Sequence, residues 1–400
     1  MTTTATTICI KCAKDDFLRR YINENGISRG KCSLCQESNS RKFINIDEKT
    51  RIKDILKSLV RYHYSELDYN PRWGGDRIER LLSVENPIID HTRIKLGEED
   101  KETEEAVYPF LEDFAWPPYA DDPDKGVSLY YGRDSTGRGL FLYPISDSPS
   151  EYLSWLEDEL QKKNFYKLED RALKRISHCS HLISKKVSKG EIFYRARIGF
   201  DEKKWKSKAE HEGYQIVYFP YVNDKIGAPS PLNAGEGRLN RKGISFLYTA
   251  SDIETAISEI RPHPSHIIST GKFKIKKNIN IISLTHLDFY DFLLSDTLID
   301  LYILLGNLNN RFSMPILPEE TSRYLVSQFY AEIFRKIGFR GVEYKSSISS
   351  GTNFCFFEAE DLEYIENSAK VKRITQLNYS FTDAKFELEP EVAEEVSYFP

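Results

Sequence analysis

Four cysteines set the first constraint. Cys9 and Cys12 form one CxxC pair, and Cys32 and Cys35 form another. Each CxxC turn brings two thiolates to one point, and two such knuckles complete a tetrahedral set. In a reducing cytosol this spacing predicts a metal rather than disulfides. A four-thiolate Zn²⁺ site has no open coordination position, so its expected role is structural. Free structural cysteines are the alternative. Between the pairs lie Arg19, Arg20, Arg29 and Lys31. They make a basic face that serves either solvent or nucleic acid.

The chain has 400 residues, room for two or three domains. Its formal net charge of -5 gives no global attraction to nucleic acid or to an anionic membrane. No apolar run approaches the roughly 18 residues of a membrane helix. The start, MTTTATTICI, lacks the basic and long apolar regions of a secretory signal. A cytoplasmic protein is expected.

Four segments follow: a cysteine module at 1–45, a helical segment at 46–185, a mixed domain at 190–360 and an extension at 361–400. Within Asp47–Arg61, Ile52, Ile55, Leu56 and Leu59 have the spacing of an amphipathic helix, and Asp76–Leu82 continues in that style. Residues 97–125 are acidic and proline-rich, and predict a loop. Ser150–Leu182 reads as one long helix, ended by Lys185-Lys186 and Ser188–Gly190. From Glu191 the texture changes to short strands: Ile192–Ile198, Ile216–Tyr221, Ser245–Thr249, His266–Phe273, Ile279–Leu284, Gly341–Tyr344 and Asn353–Phe357. Ser251–Ile260, capped by Ser251 or Asp252, and Ser322–Ile337 read as helices. Without regular βαβ alternation, this order predicts an α+β fold. The tail beyond about residue 380 is acidic and weakly patterned.

Three motifs carry chemistry. Phe193-Tyr194-Arg195-Ala196-Arg197 ends a strand, and residues two apart share a face, so Arg195 and Arg197 point the same way. Such a pair grips a diphosphate by forked hydrogen bonds, or makes surface ion pairs. Gly235-Glu236-Gly237-Arg238-Leu239-Asn240 permits close backbone approach and adds a cation; Tyr248 and Glu259 follow, Glu259 at the end of a short helix before Pro262. Gly341-Val342-Glu343-Tyr344-Lys345-Ser346 places Ser346 just past a strand, with Asn353 after it. Read singly, each is an ordinary turn or surface residue.

Together the FYRAR strand, the GRLN turn, the LYTA strand leading to TA-x2-E, and the GV-x-Y-x-S ending resemble the RES domain, a family named for its Arg, Glu and Ser. The resemblance runs from about Gly190 to Phe357. The segment before it resembles the HEPN-like helical region of some RES proteins. The resemblance implies a fold related to ADP-ribosyltransferases, NAD⁺ as substrate, and NAD⁺ breakdown by phosphorolysis or hydrolysis in toxin–antitoxin or antiphage settings. It implies catalytic roles for Glu259, Arg195, Ser346 and Tyr248. It implies NAD⁺ contacts from Arg195, Arg238, Arg197, Tyr248, Ser346 and Asn353. An antitoxin or a phage-derived regulator, and an oligomer of identical chains, are the expected partners. Some members carry Tyr after the first Arg, where this chain has Ala196; Tyr194 lies on the opposite strand face.

The nicotinamide–ribose bond breaks through an oxocarbenium-like transition state. The leaving group already carries positive charge, so an anion near the sugar is needed and a general acid is not. Glu259 supplies that anion. Arg197 and Arg241 are candidates for binding an attacking phosphate. Two rival readings fit the same residues. One is transfer of ADP-ribose to a macromolecule from the same pocket. The other is a nucleic-acid sensor or HEPN-type ribonuclease using Arg171 and His178, although Ala172 stands where such enzymes have a polar residue.

Overall fold

The computed structural model describes residues 7–39, 42–46, 52–69, 74–76, 78–95, 143–207, 214–292, 296–314 and 324–378. The expected loop at 97–125 and the acidic tail lie outside them. The N-terminal part builds β1 (Thr7–Cys9), α1 (Asp16–Asn25) and β2 (Phe43–Asn45), with β1 and β2 antiparallel. Asp15 caps α1 by accepting from the N–H groups of Phe17 and Leu18 at 2.8 and 3.0 Å. Then come α2 (Ile52–His63), α3 (Glu66–Tyr69) and α4 (Ile78–Ser83). Ile52, Ile55, Leu56 and Leu59 of α2 are buried, as their spacing requires. They share one core with the four cysteines and, from far along the chain, with Phe289, Ile299 and Ile303.

The helix expected over Ser150–Leu182 is in fact two, α5 (Glu151–Lys162) and α6 (Tyr166–Cys179). Ser150 caps α5. Lys163 turns to extended backbone, and Asn164 beside it favours turns over helix interiors. The Lys185-Lys186 stretch, read as a helix end, is instead the strand β3 (Ser184–Val187).

The remaining elements are β4 (Ile192–Ile198), β5 (Glu202–Ser207), β6 (Tyr214–Phe219), β7 (Leu247–Ala250), α7 (Ile253–Glu259), β8 (Ile267–Ile275), β9 (Ile279–Ser283), α8 (Asp296–Ser313), α9 (Leu325–Ile337), β10 (Gly341–Lys345), β11 (Thr352–Phe356), β12 (Leu362–Tyr364) and β13 (Lys370–Arg373). Among the described residues they build a nine-stranded sheet, β12-β8-β4-β7-β11-β10-β9-β3, with β13 also on β8. The β9–β10 pair is parallel and the others are antiparallel, so the sheet is mixed and the fold is α+β. β5 and β6 form a separate ribbon.

Side chains alternate across the sheet. One face carries Ile282, Val342, Tyr344 and Cys355 and packs under α5, α6, α8 and α9. The other carries Phe193, Leu247, Ile281, Phe354 and Phe356, with Ile226 over them. Thus α5 and α6 belong to the core of the sheet, while the cysteine module has its own.

The long helix α8 gave no signal in the sequence. Its DTLIDLYILLGNLNNRFS is apolar nearly all round, the mark of a helix buried on several sides. Ile299 and Ile303 enter the module's core, and Leu301, Leu304, Leu305, Leu308 and Phe312 enter the core of the sheet. Each fully buried side chain of this size contributes about 1.5–3 kcal/mol.

Candidate active site and metal centre

Asp252 caps α7: its carboxylate accepts from the Thr255 N–H and hydroxyl, both at 2.8 Å. Burial opposes its charge, but hydrogen bonds from Thr255 and Ser251 hold the carboxyl below its usual range. Ala256 packs on Ala196 and Ala250, two small residues that let the helix lie close to β4 and β7. The helix therefore ends with Glu259 against the end of β10. Oε1 of Glu259 accepts from the Ser346 hydroxyl at 2.7 Å and from Asn353 Nδ2 at 2.6 Å. Its Oε2 has no hydrogen-bond partner among the described residues. Glu259, Ser346 and Asn353, far apart in sequence, thus meet at one point.

They meet beside a pocket of about 320 Å³, at the small end of ligand sites. Glu259, Asn353, Arg238, Tyr194, Tyr324 and Tyr344 are among its walls. Arg238 donates through Nη1 to Phe312 O at 2.5 Å. That carbonyl belongs to the last turn of α8, where helix carbonyls lack partners and the dipole favours a cation. Arg238 also reaches Ser313 O at 3.4 Å and interacts with Tyr344, whose ring centre lies 5.9 Å from its guanidinium carbon.

Tyr248 lines the pocket, and its hydroxyl is already engaged. It donates to Asn240 Oδ1 at 2.8 Å and accepts from the Leu239 N–H at 3.1 Å. Burial pushes this phenol well above its usual range. Asn240 Nδ2 donates to the carbonyls of Gly235, Arg241 and Ile244, which locks the glycine turn. A side chain at Gly237 would collide with Asn240 Oδ1, so this close approach requires glycine.

Arg195 and Arg197 share a strand face, as alternation requires, and both donate to the 225–226 carbonyls. Arg195 lies at the pocket floor, where β4 and β7 share only the Tyr194–Ala250 pair. Its guanidinium fills the gap, donating to Tyr248 O at 2.5 Å and Ile226 O at 2.7 Å. Burial, then the charge of Arg197, lowers its pKa to about 10, so it stays charged at neutral pH. Arg197 is exposed, lies over the Tyr221 ring and is not part of the pocket wall. Arg241 stacks on Phe165, its guanidinium carbon 3.6 Å from the ring centre.

Gln328 was missed in the sequence. Its Nε2 donates to Glu236 Oε1, Gly237 O and Asn240 O, tying α9 to the glycine turn. The available signal was a glutamine inside the apolar stripe of α9, between Val326 and Phe329. Arg171 and His178 are engaged separately: Arg171 lies over the Tyr152 and Trp155 rings, and His178 Nδ1 meets Lys174 O.

The four cysteines are fully buried, with their sulfurs all within 4.8 Å of one another. The Cys9–Cys12, Cys9–Cys35 and Cys12–Cys32 sulfur separations are 3.6, 3.7 and 3.8 Å. A tetrahedron with Zn–S bonds of about 2.3 Å has edges of about 3.8 Å. The donor set therefore fits a tetrahedral ion. Arg93 lies beside this cluster and pairs with Glu37 at 2.9 Å.

This is an α+β domain whose glutamate, serine, asparagine and arginine converge on a tyrosine-lined pocket. A RES domain is found at residues 211–381. That interval holds Arg238, Tyr248, Glu259, Ser346 and Asn353, and leaves Arg195, Arg197 and the cysteine module outside. One solved structure, the M. tuberculosis MbcT-MbcA toxin-antitoxin complex, is similar at 11% identity with a TM-score of 0.27, covering 51% of this chain and 91% of that chain. No curated protein matches. Among the described residues no helix is long and apolar enough to cross a membrane.

Proposed function

We propose that this chain cleaves NAD⁺ at the nicotinamide–ribose bond and acts as a toxin in a toxin–antitoxin or antiphage setting, held in check by a partner protein. The reading starts from the RES domain and is carried by one observation. Two donors fix Oε1 of Glu259 beside an aromatic pocket and leave Oε2 without a hydrogen-bond partner among the described residues. A carboxylate held this way is preorganised for a developing cation and needs no rearrangement as the bond breaks. Ser346 and Asn353 are its supports. The N–H groups that Arg238 does not use on α8 are assigned to a phosphate. Tyr248, its hydroxyl engaged, serves as a wall that braces the glycine turn. Arg195 holds the pocket floor and adds positive potential there. The tyrosine rings of the walls suit the flat face of nicotinamide.

The cysteine cluster is assigned a structural Zn²⁺, held by Cys9, Cys12, Cys32 and Cys35. Arg93 beside the cluster offsets the negative charge of four thiolates.

The test is to incubate the purified chain with NAD⁺, with and without phosphate, and to identify products by mass spectrometry. ADP-ribose marks attack by water, and its phosphorylated form marks attack by phosphate. ADP-ribose retained on a macromolecule marks transfer instead and overturns the reading. Glu259→Gln keeps an acceptor for Ser346 and Asn353 but loses the charge, and is expected to lower turnover roughly 10²-fold or more. Near-normal NAD⁺ loss in that variant removes Glu259 from the mechanism.

A further inference from the structure

The cysteine module and the pocket are joined by one helix. At its N-terminal end, α8 is held by the module and by α2, which packs in the same core. Ile299 and Ile303 lie in the module's core. The Tyr302 and Tyr62 hydroxyls lie 3.3 Å apart. Just before α8, Asp288 pairs with both terminal nitrogens of Arg20, at 2.5 and 3.0 Å, and Arg20 itself lies over the Phe17 and Tyr290 rings. At its C-terminal end, α8 holds two parts of the pocket. Phe312 O takes Arg238. Asn309 Oδ1 accepts from the Lys345 N–H at 3.3 Å, and the Ser313 hydroxyl donates to Lys345 O at 2.7 Å. Lys345 is thus fixed on both sides immediately before Ser346, which holds Glu259.

We propose that α8 positions the active site on behalf of the cysteine module, with Asn309 and Ser313 as the positioning residues. From Ile299 to Ser313 the helix spans about 20 Å at its fixed rise per residue. Between those points it is packed on both cores, so it carries a displacement rather than absorbing it. The module thereby gains a purpose beyond its own stability: it sets where the far end of α8 presents carbonyls to Arg238 and clamps the Lys345–Ser346 peptide. Only the activity arm of the test below rests on the NAD⁺ reading.

Hydrogen exchange on the full chain, read by mass spectrometry, separates the parts. Cys12→Ser is expected to speed exchange roughly tenfold or more in the module, in residues 238–248 and in residues 341–350, while β8, flanked by β4, β12 and β13, keeps its protection. The double variant Asn309→Ala/Ser313→Ala is expected to loosen the two pocket segments alone. With NAD⁺, the double variant should lower kcat roughly tenfold and shift KM less, as for a misplaced catalytic group. Ser313→Thr, which keeps the hydroxyl, should restore kcat. The proposal is overturned if Cys12→Ser loosens the module and leaves both pocket segments at wild-type exchange. It is also overturned if the double variant changes neither exchange nor kcat. If Cys12→Ser unfolds the whole chain, β8 loses protection too, and the double variant decides. A wild-type chain that leaves NAD⁺ intact sinks the functional reading, and the exchange results still judge the role of α8.

Discussion

At the cysteine centre two short turns bring four sulfurs together, all fully buried and all within reach of one ion of tetrahedral size. At the pocket, side chains from β4, the glycine turn, β7, α7, β10 and β11 converge, and several of their polar atoms stay open. Glu259 has one oxygen engaged and one without a hydrogen-bond partner among the described residues; Arg238 spends one terminal nitrogen on the end of α8 and keeps the rest of its guanidinium at the pocket wall. Asn240, which holds the glycine turn together, has its amide donating to three carbonyls and its oxygen accepting from Tyr248, because a buried unpaired group is costly. The groups that the proposed reading assigns to a ligand are half satisfied: enough to be held, not enough to be used up. Arg195 and Tyr248 show the intermediate case. Both sit at the pocket, and the polar ends of both are engaged by the protein's own backbone and turn.

The largest effect that would break this contrast is at the cysteines. A ligand-deficient variant such as Cys32→Ser, or metal removal by a strong chelator, should unfold the module. Structural zinc sites in isolated peptides contribute about 10–16 kcal/mol of apparent folding energy, and even a fraction of this exceeds any single core side chain. Native mass spectrometry should show one zinc per chain, lost in the variant, with a lower thermal midpoint. A chain that carries no metal, and melts alike with and without chelator, makes these plain core cysteines.

Next in size is Gln328, which tests whether the glycine turn is scaffold or ligand site. Gln328→Ala removes the donor to Gly237 O and Asn240 O. Asn240 O keeps the Gly237 N–H, so it is the half-buried Gly237 O that loses its donor, at a cost of about 1–3 kcal/mol. Urea unfolding should therefore show a clear loss of stability, and NAD⁺ turnover should fall because Arg238 lies in the same turn. Glu259→Gln should do the reverse, losing turnover at nearly unchanged stability. If Gln328→Ala is as stable as wild type, the three contacts do not lock the turn.

The two regions were also unequally legible. The cysteine centre was readable because its ligands lie within one short stretch and their spacing alone states the geometry. Strands β4 and β8–β11 were readable as short β-rich runs, and Asp252 from its capping chemistry. The meeting of Glu259, Ser346 and Asn353 was inferred from resemblance; no local rule brings residues 259 and 346 together. The shared face of Arg195 and Arg197 followed from strand period. Whether such a guanidinium meets a ligand or a carbonyl depends on where β4 parts from β7, which neither strand encodes alone. α8 was invisible because a helix buried on several sides loses the one-sided stripe that marks helices. β3 was missed because a short, lysine-rich edge strand looks like a solvated helix end.

The smallest effect compares two carboxylates. Asp361, almost fully buried, has both oxygens engaged: Arg340 Nε at 2.5 Å from Oδ2 and Lys277 Nζ at 3.1 Å from Oδ1. Burial opposes its charge, but Arg340 and Lys277 together hold the carboxyl below its usual range. A carboxyl lowered in the folded state binds its proton more readily when unfolded. Its contribution is therefore complete above the unfolded value of about 4 and fades as pH falls through the lower folded value. Asp361→Asn should lower the thermal midpoint at neutral pH, and the gap to wild type should close as pH drops below about 4. Turnover, corrected for folded protein, should not move, because Asp361 faces Arg340 and Lys277 rather than the pocket. A gap that stays constant down to acid pH would mean the pair contributes packing rather than charge. Asp361 would then no longer stand as the fully satisfied counterpart of Glu259.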